Sequence, residues 1–362
     1  MVEDIAGAPR PPVENWRALG LGLLVLVGAL TAGAATARTV TDSAGRVVEV
    51  PETVTTAFAA GPPAAILLYV LAPDKLLGWP RALRPHERPY IAPPYRDLPA
   101  TGRLTGRGGE ANLERVLALD PDVIIDFGSV RDTYIDLANR VQAQTGIPYL
   151  LIDGRFDNTA QALRGVVEGL GGAERGEALV RDVEATFARL DAIIAATPQS
   201  QRPRTYLARG PVGLESGTLG SINTEIIERA GGRNVLMDNT GRRSLVQVSL
   251  EQILVADPEV IITWDPNFFS LVGQHSLWAG VDAVRRGRVY LAPTTPFGWI
   301  DRPPSLNRLM GLRWLAGLFY PEQWSGDLSS DTRAFYRQYY HVELTDADLE
   351  RLLAWAAGHP RP

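Results

Sequence analysis

The sequence contains a fifteen-residue segment that occurs twice, and this repeat limits the possible folds more than any other feature. The first copy, residues 112–126, reads NLERVLALDPDVIID, and the second, residues 249–263, reads SLEQILVADPEVIIT. Eight of the fifteen positions are identical, and the copies are 137 residues apart. This spacing has the size of a domain and exceeds the unit of a solenoid protein, which is roughly 20–50 residues. The repeat therefore predicts two similar lobes.

Each copy has the pattern of a short helix followed by a buried strand. A helix cannot continue through Pro121 or Pro258, and the Val-Ile-Ile run after each proline has the composition of a parallel strand covered on both faces. Further apolar strands alternate with helical stretches, which is typical of βα units. We therefore predict an α/β protein whose lobes each contain a central, mostly parallel sheet.

A long helix is predicted between the two lobes. Residues 174–196 contain no proline and have apolar residues at helical spacing. Such a helix is about 34 Å long, and one rigid connection predicts little relative motion of the lobes. The predicted segments are a signal peptide, an N-terminal lobe, a connecting helix, a C-terminal lobe and a C-terminal helical tail, at residues 1–37, 38–173, 174–200, 201–320 and 321–362.

The composition indicates an ordinary globular protein and excludes several kinds of function. The chain has 362 residues, of which 45% are hydrophobic and 21% are charged, and its formal net charge is -5. Because this balance lacks the concentrated positive field of a nucleic-acid-binding protein, we expect no nucleic-acid partner. The chain has no cysteine, which excludes disulfides, zinc–thiolate sites, iron–sulfur clusters and a lipid on an N-terminal cysteine.

The N-terminal residues have the pattern of a secretory signal. An apolar block from Leu19 to Gly33 follows Arg10 and Arg17 and ends in small residues. The block is short for a membrane span, which needs about 20 residues, although an uncleaved N-terminal anchor stays open as an alternative. We predict a mature protein that starts at Arg38, reaches the periplasm by a cleavable signal peptide and is not a lipoprotein.

Four motifs, in the same order along the chain, resemble those of one protein family. They are the opening TVTDSAGRVVEVP at residues 39–51, the two copies of the repeat, and IIERAGGRNV at residues 226–235. Over about residues 39–320 the chain resembles the substrate-binding proteins of ABC importers for iron-siderophores, haem and cobalamin. The resemblance implies a class III periplasmic binding protein, with a ligand cleft between its lobes and the permease dimer of an ABC transporter as its partner. By its residues alone, the opening motif predicts an N-terminal β-hairpin.

Glu114 and Glu251 occupy the same position in the two copies, near the start of a helix. The helix dipole stabilises a carboxylate there, which would explain both residues without any partner. The resemblance implies instead that one such glutamate on each lobe pairs with arginines of the permease. Equal positions suit a pseudo-symmetric protein that docks onto a two-fold permease, and we assign permease docking to both residues.

Ligand contacts are expected in the cleft, at the carboxyl ends of the strands. Trp299 would offer a flat face to a planar chelate or macrocycle, while Arg302 and Arg209 would bind carboxylates or an oxyanion. Core packing is the alternative for the tryptophans, and the proline-rich residues 81–95 are expected to form a rigid loop over the cleft mouth. The expected ligand-binding residues are Gly61, Pro62, Trp79, Arg81, Tyr90, Arg209, Trp264, Phe268, Trp299, Asp301 and Arg302.

The sequence shows no recognisable catalytic or metal site. No Gly-x-Gly-x-x-Gly follows a strand and opens a helix, and residues 213–217 do not match the Gly-x-Ser-x-Gly of hydrolases. The histidines lack the spacing of metal ligands, so we expect no metal bound by the protein's own side chains. We expect a binding protein and not an enzyme, with a chelate-processing enzyme as a remote alternative.

These observations predict the periplasmic solute-binding component of an ABC importer, which captures a metal chelate and delivers it to the membrane permease. An iron(III)-siderophore is the favoured ligand, and cobalamin or an oxyanion such as molybdate or tungstate is the alternative on the same fold. The oxyanion stays open because the expected cleft is rich in arginine, and compact anions need several converging donors. No cofactor is expected, although the ligand would carry iron, cobalt or molybdenum.

Overall fold

The computed structural model describes residues 37–106, 113–236 and 243–354, together with Ala356 and Gly358. The predicted signal peptide, except for Ala37, lies outside these residues. Within the described ranges, no helix is long and apolar enough to cross a membrane. We keep the terms N-terminal lobe and C-terminal lobe for residues 38–173 and 201–320, a division that stays a proposal.

Strands and helices alternate along most of the chain. The strands are β1 Ala37–Thr41, β2 Val47–Pro51, β3 Ala57–Ala59, β4 Val123–Gly128, β5 Tyr149–Asp153, β6 Arg204–Ala208, β7 Glu215–Gly217, β8 Arg233–Asn234, β9 Leu245–Gln247, β10 Val260–Thr263 and β11 Val289–Leu291. The helices are α1 Pro62–Leu71, α2 Leu113–Leu119, α3 Asp132–Thr145, α4 Thr159–Leu170, α5 Ala173–Ala196, α6 Glu225–Arg229, α7 Leu250–Ala256, α8 Pro266–Val272, α9 Asp282–Arg285, α10 Arg308–Phe319, α11 Leu328–Tyr340 and α12 Asp346–Leu353.

Each lobe contains a parallel sheet, so the predicted α/β class is confirmed. The N-terminal sheet has the order β3-β4-β5, and the C-terminal sheet has the order β11-β10-β6-β8. The β-branched runs at the two repeats form β4 and β10, which are central strands buried on both faces. The predicted N-terminal hairpin is also present, because β1 pairs with β2 in antiparallel register with Val40 opposite Val48.

The two copies of the repeat fold in the same way. In each, a helix of seven residues ends before the Asp-Pro pair, and the following strand enters the centre of its sheet. Asp120 and Asp257 have φ angles of 45° and 40°, which is the left-handed conformation that ends a helix. The Asp-Pro stop that the sequence predicts is therefore confirmed in both copies.

The acidic residue after each of these prolines also has a structural role, which the sequence analysis did not recognise. Asp122 Oδ2 accepts hydrogen bonds from the backbone N–H groups of Thr55 (2.6 Å) and Thr56 (2.9 Å), just before β3. Glu259 Oε2 accepts one from the backbone N–H of Arg204 (2.7 Å), at the start of β6. Each acid therefore fixes the beginning of a neighbouring parallel strand.

The predicted long helix is α5, which begins one residue earlier than expected. It packs against α4 and α10. Near its middle, Asp182 Oδ2 accepts hydrogen bonds from Arg313 (2.6 Å) and from the hydroxyl of Tyr339 (2.7 Å). Helices on both sides therefore hold α5 in place.

The C-terminal tail connects the two lobes a second time. Helix α11 packs against α10 and also against α1 of the N-terminal lobe, where the Tyr69 hydroxyl donates to the carbonyl of Tyr340. The indole N–H of Trp314 donates to the carbonyl of Ala356 (3.0 Å). One hydrophobic cluster runs from Val40 to Ala356 and includes residues of both sheets. The apolar core is thus continuous across the lobes.

Candidate ligand-binding cleft

The residues that follow the strands of the N-terminal sheet contact the C-terminal lobe. The carbonyl of Pro63, after β3, accepts a hydrogen bond from the hydroxyl of Ser305 (2.8 Å). The backbone N–H of Phe156, after β5, donates to Glu225 Oε1 (3.0 Å). Because ligands of such α/β proteins bind at the carboxyl ends of the strands, the cleft at this junction is the candidate site.

Trp264 follows β10 directly and lies against two arginines. The guanidinium carbon of Arg302 lies 4.4 Å from the centroid of the indole ring, and that of Arg209 lies 5.6 Å from it. Trp264 is half-buried and Arg302 is exposed. Within the described residues no carboxylate forms an ion pair with Arg302. The pair therefore offers an apolar ring together with a cation that is available to an anion.

Arg209, in contrast, is already neutralised by the protein. Its Nε lies 2.9 Å from Asp301 Oδ2, and its terminal nitrogen pairs with Glu215. Asp301 is buried and also accepts a hydrogen bond from the side-chain amide of Asn223 (3.0 Å). Burial raises the pKa of the Asp301 carboxyl, and Arg209 and Asn223 oppose that shift. Asp301 therefore orients Arg209, whereas it was predicted from the sequence to contact the ligand.

Three aromatic residues expected in the cleft lie in the core. Trp299 is fully buried and makes an edge contact with Trp314, with 6.2 Å between the ring centroids. Phe268 is fully buried against Trp278, with 4.9 Å between the centroids. Trp79 is buried, and its indole N–H donates to the carbonyl of Tyr95 (2.8 Å). The expectation that these three rings contact the ligand is therefore wrong for this structure.

The burial of Trp299 has a steric cause. Helix α10 approaches the backbone of Trp299 so closely that a Cβ atom on Gly311 would lie 1.8 Å from the Trp299 carbonyl oxygen. A glycine in the interior of a helix often indicates such an approach. The tight packing of α10 brings the indole of Trp299 into the core and leaves the cleft to Trp264.

The loop of residues 81–95 is held by its own ion pair. Arg81 binds Glu87 through two hydrogen bonds of 2.8 and 2.6 Å. Arg81 is exposed, but this fork already occupies its guanidinium, so the structure gives it a role in the loop and not in ligand binding. Tyr90 is largely buried and packs edge-on against Tyr336, with 6.1 Å between the centroids.

Gly61 and Pro62 lie at the start of α1, on the N-terminal side of the cleft. A Cβ atom on Gly61 would lie 2.4 Å from the Thr105 hydroxyl oxygen, so this position requires glycine. Pro62 is half-buried and occupies the first turn of α1, where a proline is well accommodated. Both residues shape the cleft wall, and their contact with a ligand stays a prediction.

A buried polar cluster lies beneath this wall. Asp126, near the end of β4, accepts hydrogen bonds from the hydroxyls of Thr105 (3.2 Å) and Tyr149 (3.0 Å). Burial raises the pKa of the Asp126 carboxyl to about 6, although these two hydrogen bonds oppose the shift. The repeat aligns Asp126 with Thr263, and this difference between the two copies was the available sequence signal for the cluster.

A buried ion pair of the C-terminal lobe lies at the junction with the N-terminal lobe. Arg308 is almost fully buried and lies 2.5 Å from Glu225 Oε1, and it also donates to the carbonyl of Gly154 (2.9 Å) after β5. Burial lowers the pKa of Arg308 and raises that of Glu225, and their mutual attraction opposes both shifts. An arginine at the start of an apolar helix was the available sequence signal, but its partner is 83 residues away.

A pocket of about 390 Å³ opens beside Trp264. Its walls come from the loop before and at Tyr90, from the chain around the ends of β10 and β11, and from α12. The lining residues are His86, Pro89, Tyr90, Trp264, Pro266, Leu291, Ala292, Pro293, Thr294, Thr295, Arg351 and Leu352.

The two glutamates assigned to docking have equivalent places in the structure. Glu114 is in the first turn of α2, Glu251 is in the first turn of α7, and both are exposed. The hydroxyl of Ser249 caps α7 by accepting a hydrogen bond from the backbone N–H of Gln252 (3.3 Å). Hydrogen bonds from the backbone of Glu251 and from Ser249 lower the pKa of the Glu251 carboxyl. The docking role itself stays a prediction.

Comparison with known proteins decides the family. The sequence pattern of periplasmic binding proteins matches residues 62–296, which is more than half of the chain. The chain belongs to the periplasmic binding protein family. These proteins are the substrate-binding components of ABC importers and are not enzymes. The predicted class III fold with two α/β lobes is thereby confirmed.

Three relatives show how far the similarity extends. The structure of an ABC transporter solute binding protein from Sulfurospirillum deleyianum has a TM-score of 0.80 and 30% identity, and the match covers 88% of this chain and 99% of that protein. The cobalamin-binding protein of Halobacterium salinarum is 30% identical over 216 residues, which are 54% of this chain and 55% of that protein. The match thus spans about half the length of this curated relative.

The third relative is the molybdate periplasmic binding protein of Haemophilus influenzae, whose structure holds molybdate. Its TM-score is 0.68 at 23% identity, and the match covers 85% of this chain and 99% of that protein. At this identity the likeness shows the fold alone.

Proposed function

We propose that this periplasmic binding protein captures a metal chelate with an organic frame and delivers it to the permease of an ABC importer. The stack of Arg302 on Trp264 is the observation that supports a chelate most directly. An indole and a guanidinium together suit a ligand that has both apolar surface and peripheral negative charge. The organic frame of a metal chelate combines these properties.

A bare oxyanion is less well supported by the described residues. A compact anion needs several donors that converge on one point. Arg209, which the sequence analysis offered for this purpose, is already paired with Asp301 and Glu215. Among the expected cleft arginines, Arg302 has a charge that is available to a ligand. One guanidinium provides too few hydrogen-bond donors to surround a tetrahedral oxyanion.

Two kinds of chelate fit this proposal. The name of the Halobacterium relative supports a corrinoid such as cobalamin, and an iron(III)-siderophore stays the prediction from the sequence. Both present apolar surface and polar peripheral groups to a cleft. The cleavable signal peptide and the docking of the permease at Glu114 and Glu251 belong to the same proposal.

Binding assays on the purified protein test the ligand class. Thermal unfolding is followed with cyanocobalamin, a ferric catecholate chelate, a ferric hydroxamate chelate and molybdate, because a ligand present at 100 times its Kd stabilises by about 2.7 kcal/mol. We expect one of the chelates to raise the unfolding temperature, and molybdate to leave it unchanged. Stabilisation by molybdate with no response to any chelate would contradict the proposal.

Two substitutions then test the site. We expect Trp264→Ala to weaken binding of the stabilising chelate by about 1–3 kcal/mol because a stacking surface is lost, and Arg302→Ala to weaken it less. Calorimetry measures both. The matched control is Arg189→Ala, since Arg189 lies 4.1 Å over the ring of Trp324, a similar stack formed by α5 and the chain after α10. Equal affinity in all three variants would place the site elsewhere.

A further inference from the structure

The pocket beside Trp264 differs in its chemistry from the cleft around Arg209. Three of its lining residues, Pro89, Pro266 and Pro293, have no backbone N–H. The backbone N–H of Ala292 is not available to a ligand, because it donates a hydrogen bond to the carbonyl of Thr263 (2.7 Å). The pocket is therefore poor in backbone donors and could not surround a compact anion with them.

Aromatic and apolar surfaces supply most of the wall. Tyr90 and Trp264 contribute rings, and Leu291 and Leu352 contribute aliphatic side chains. A volume of about 390 Å³ is at the lower end of the range for small-molecule pockets, which is roughly 300–1,000 Å³. This space suits a single ring system with its substituents and is too small for a whole macrocyclic chelate.

Arg302 supplies an available cation beside the pocket, because its guanidinium lies on the ring of the lining residue Trp264. Arg351 of α12 also lines the pocket but is paired with Asp348 (2.6 Å), and no acidic residue is among the lining residues. A bound group that carries a negative charge on its edge should therefore bind this pocket more tightly than a neutral group.

We propose that this pocket is a subsite for a planar aromatic group that bears a carboxylate or phenolate, carried on the periphery of the chelate. Helix α12 lies outside the segment that matches the family pattern, and it lines this subsite with Arg351 and Leu352. The inference rests on the proposed function for the identity of the whole ligand. The subsite itself is testable with a fragment.

The fragment probe is 2,3-dihydroxybenzoate, a planar aromatic carboxylate, and its binding is measured by calorimetry on the intact protein. Cyclohexanecarboxylate has the same charge without a planar ring, and sulfate has charge without apolar surface. We expect 2,3-dihydroxybenzoate to bind, cyclohexanecarboxylate to bind more weakly, and sulfate not to compete. Equal binding of the two carboxylates, or competition by sulfate, would overturn the proposal.

Two variants locate the fragment. Thr294 is exposed and lines the pocket, so Thr294→Trp fills it from the solvent side without disturbing the core. We expect this variant to weaken fragment binding at least about tenfold, and Arg302→Ala to weaken it by a smaller factor. The matched controls are Leu277→Trp at an exposed apolar residue and Arg337→Ala at an exposed ion pair, and both should bind as the wild type does.

The outcomes separate the subsite from the wider proposal. If a chelate binds to Thr294→Trp with wild-type affinity and the fragment does not bind to the wild-type protein, the subsite is wrong and the proposed function stands. If the fragment binds as expected but no chelate binds, the subsite stands and the proposed function fails.

Discussion

Trp264, just after β10, and Asp126, within the equivalent strand β4, serve different purposes in the two lobes. Trp264 follows β10 and presents its ring to the cleft, where Arg302 lies on it. Asp126 lies within β4 and is buried, with hydroxyl groups of Thr105 and Tyr149 as its partners. Trp264 is predicted to contact the ligand, whereas Asp126 affects the stability of the fold.

Asp126 is predicted to make the protein less stable as the pH rises. Burial raises the pKa of its carboxyl from 3.8 to about 6, so between these values the folded protein keeps a proton that the unfolded chain has lost. The free energy of unfolding therefore falls with rising pH in this window, by at most about 3 kcal/mol. Asp126→Asn should remove this fall, as measured by urea unfolding from pH 4 to pH 7.

Asp153 provides the control for this experiment. Burial alone would raise the pKa of the Asp153 carboxyl, but hydrogen bonds from Arg155 and Asn158 lower this pKa. Its contribution to stability is therefore lost as the pH falls, which is the opposite direction, and Asp153→Asn should not remove the fall between pH 4 and pH 6. If Asp126→Asn and the wild type show the same pH dependence, the buried carboxyl does not titrate as described.

At the scale of elements, α5 limits the motion of the lobes. It has 24 residues, and Asp182 binds it to both α10 and α11. The hydrogen bonds of Arg308 to the carbonyl of Gly154, of Phe156 to Glu225 and of Ser305 to the carbonyl of Pro63 add direct contacts between the lobes. Opening the cleft widely would break these hydrogen bonds, and leaving a buried polar group without its partner typically costs about 1–3 kcal/mol.

We therefore expect ligand binding to change the arrangement of the lobes only slightly. Small-angle X-ray scattering of the protein with and without the stabilising chelate measures this change. The two profiles should nearly superimpose, because the long helix and the continuous core allow only small rotations. A clearly smaller radius of gyration in the bound state would contradict this prediction.

At the scale of the whole molecule, the internal repeat places one exposed glutamate on each lobe. Glu114 and Glu251 lie in the first turns of equivalent helices of the two lobes. Such an arrangement suits a partner that is itself two-fold symmetric, as a permease dimer is. The assignment to the permease comes from the resemblance to the family, and the structure contributes the exposure and the equivalence of the two sites.

The double variant Glu114→Ala with Glu251→Ala is predicted to abolish uptake and to leave chelate affinity unchanged. Uptake is measured in cells or in vesicles that contain the permease, and affinity is measured by calorimetry. Glu184→Ala with Glu343→Ala removes two exposed glutamates elsewhere and should support normal uptake. Full transport by the first double variant would leave both glutamates as helix-start residues without a docking role.

The sequence by itself determined several of the elements and their order. Composition and hydrophobic periodicity are local properties, so they predicted the buried strands β4 and β10 and the long helix α5 close to their observed bounds. Proline stops a helix wherever it occurs, so the two Asp-Pro pairs predicted both helix ends. The repeat added the relation between the lobes, because a similar sequence at a domain-sized spacing folds into a similar unit.

Only the tertiary structure decided which side chains reach the cleft. Trp264 and Trp299 both follow strands and are equally aromatic, but the contact of Gly311 with the backbone of Trp299 brings that residue into the core. Arg209 and Arg302 have the same charge, yet a carboxylate buried beside Arg209 neutralises it. These outcomes depend on packing between segments about 10 to 90 residues apart. Local patterns of hydrophobic residues and local composition do not reveal such contacts.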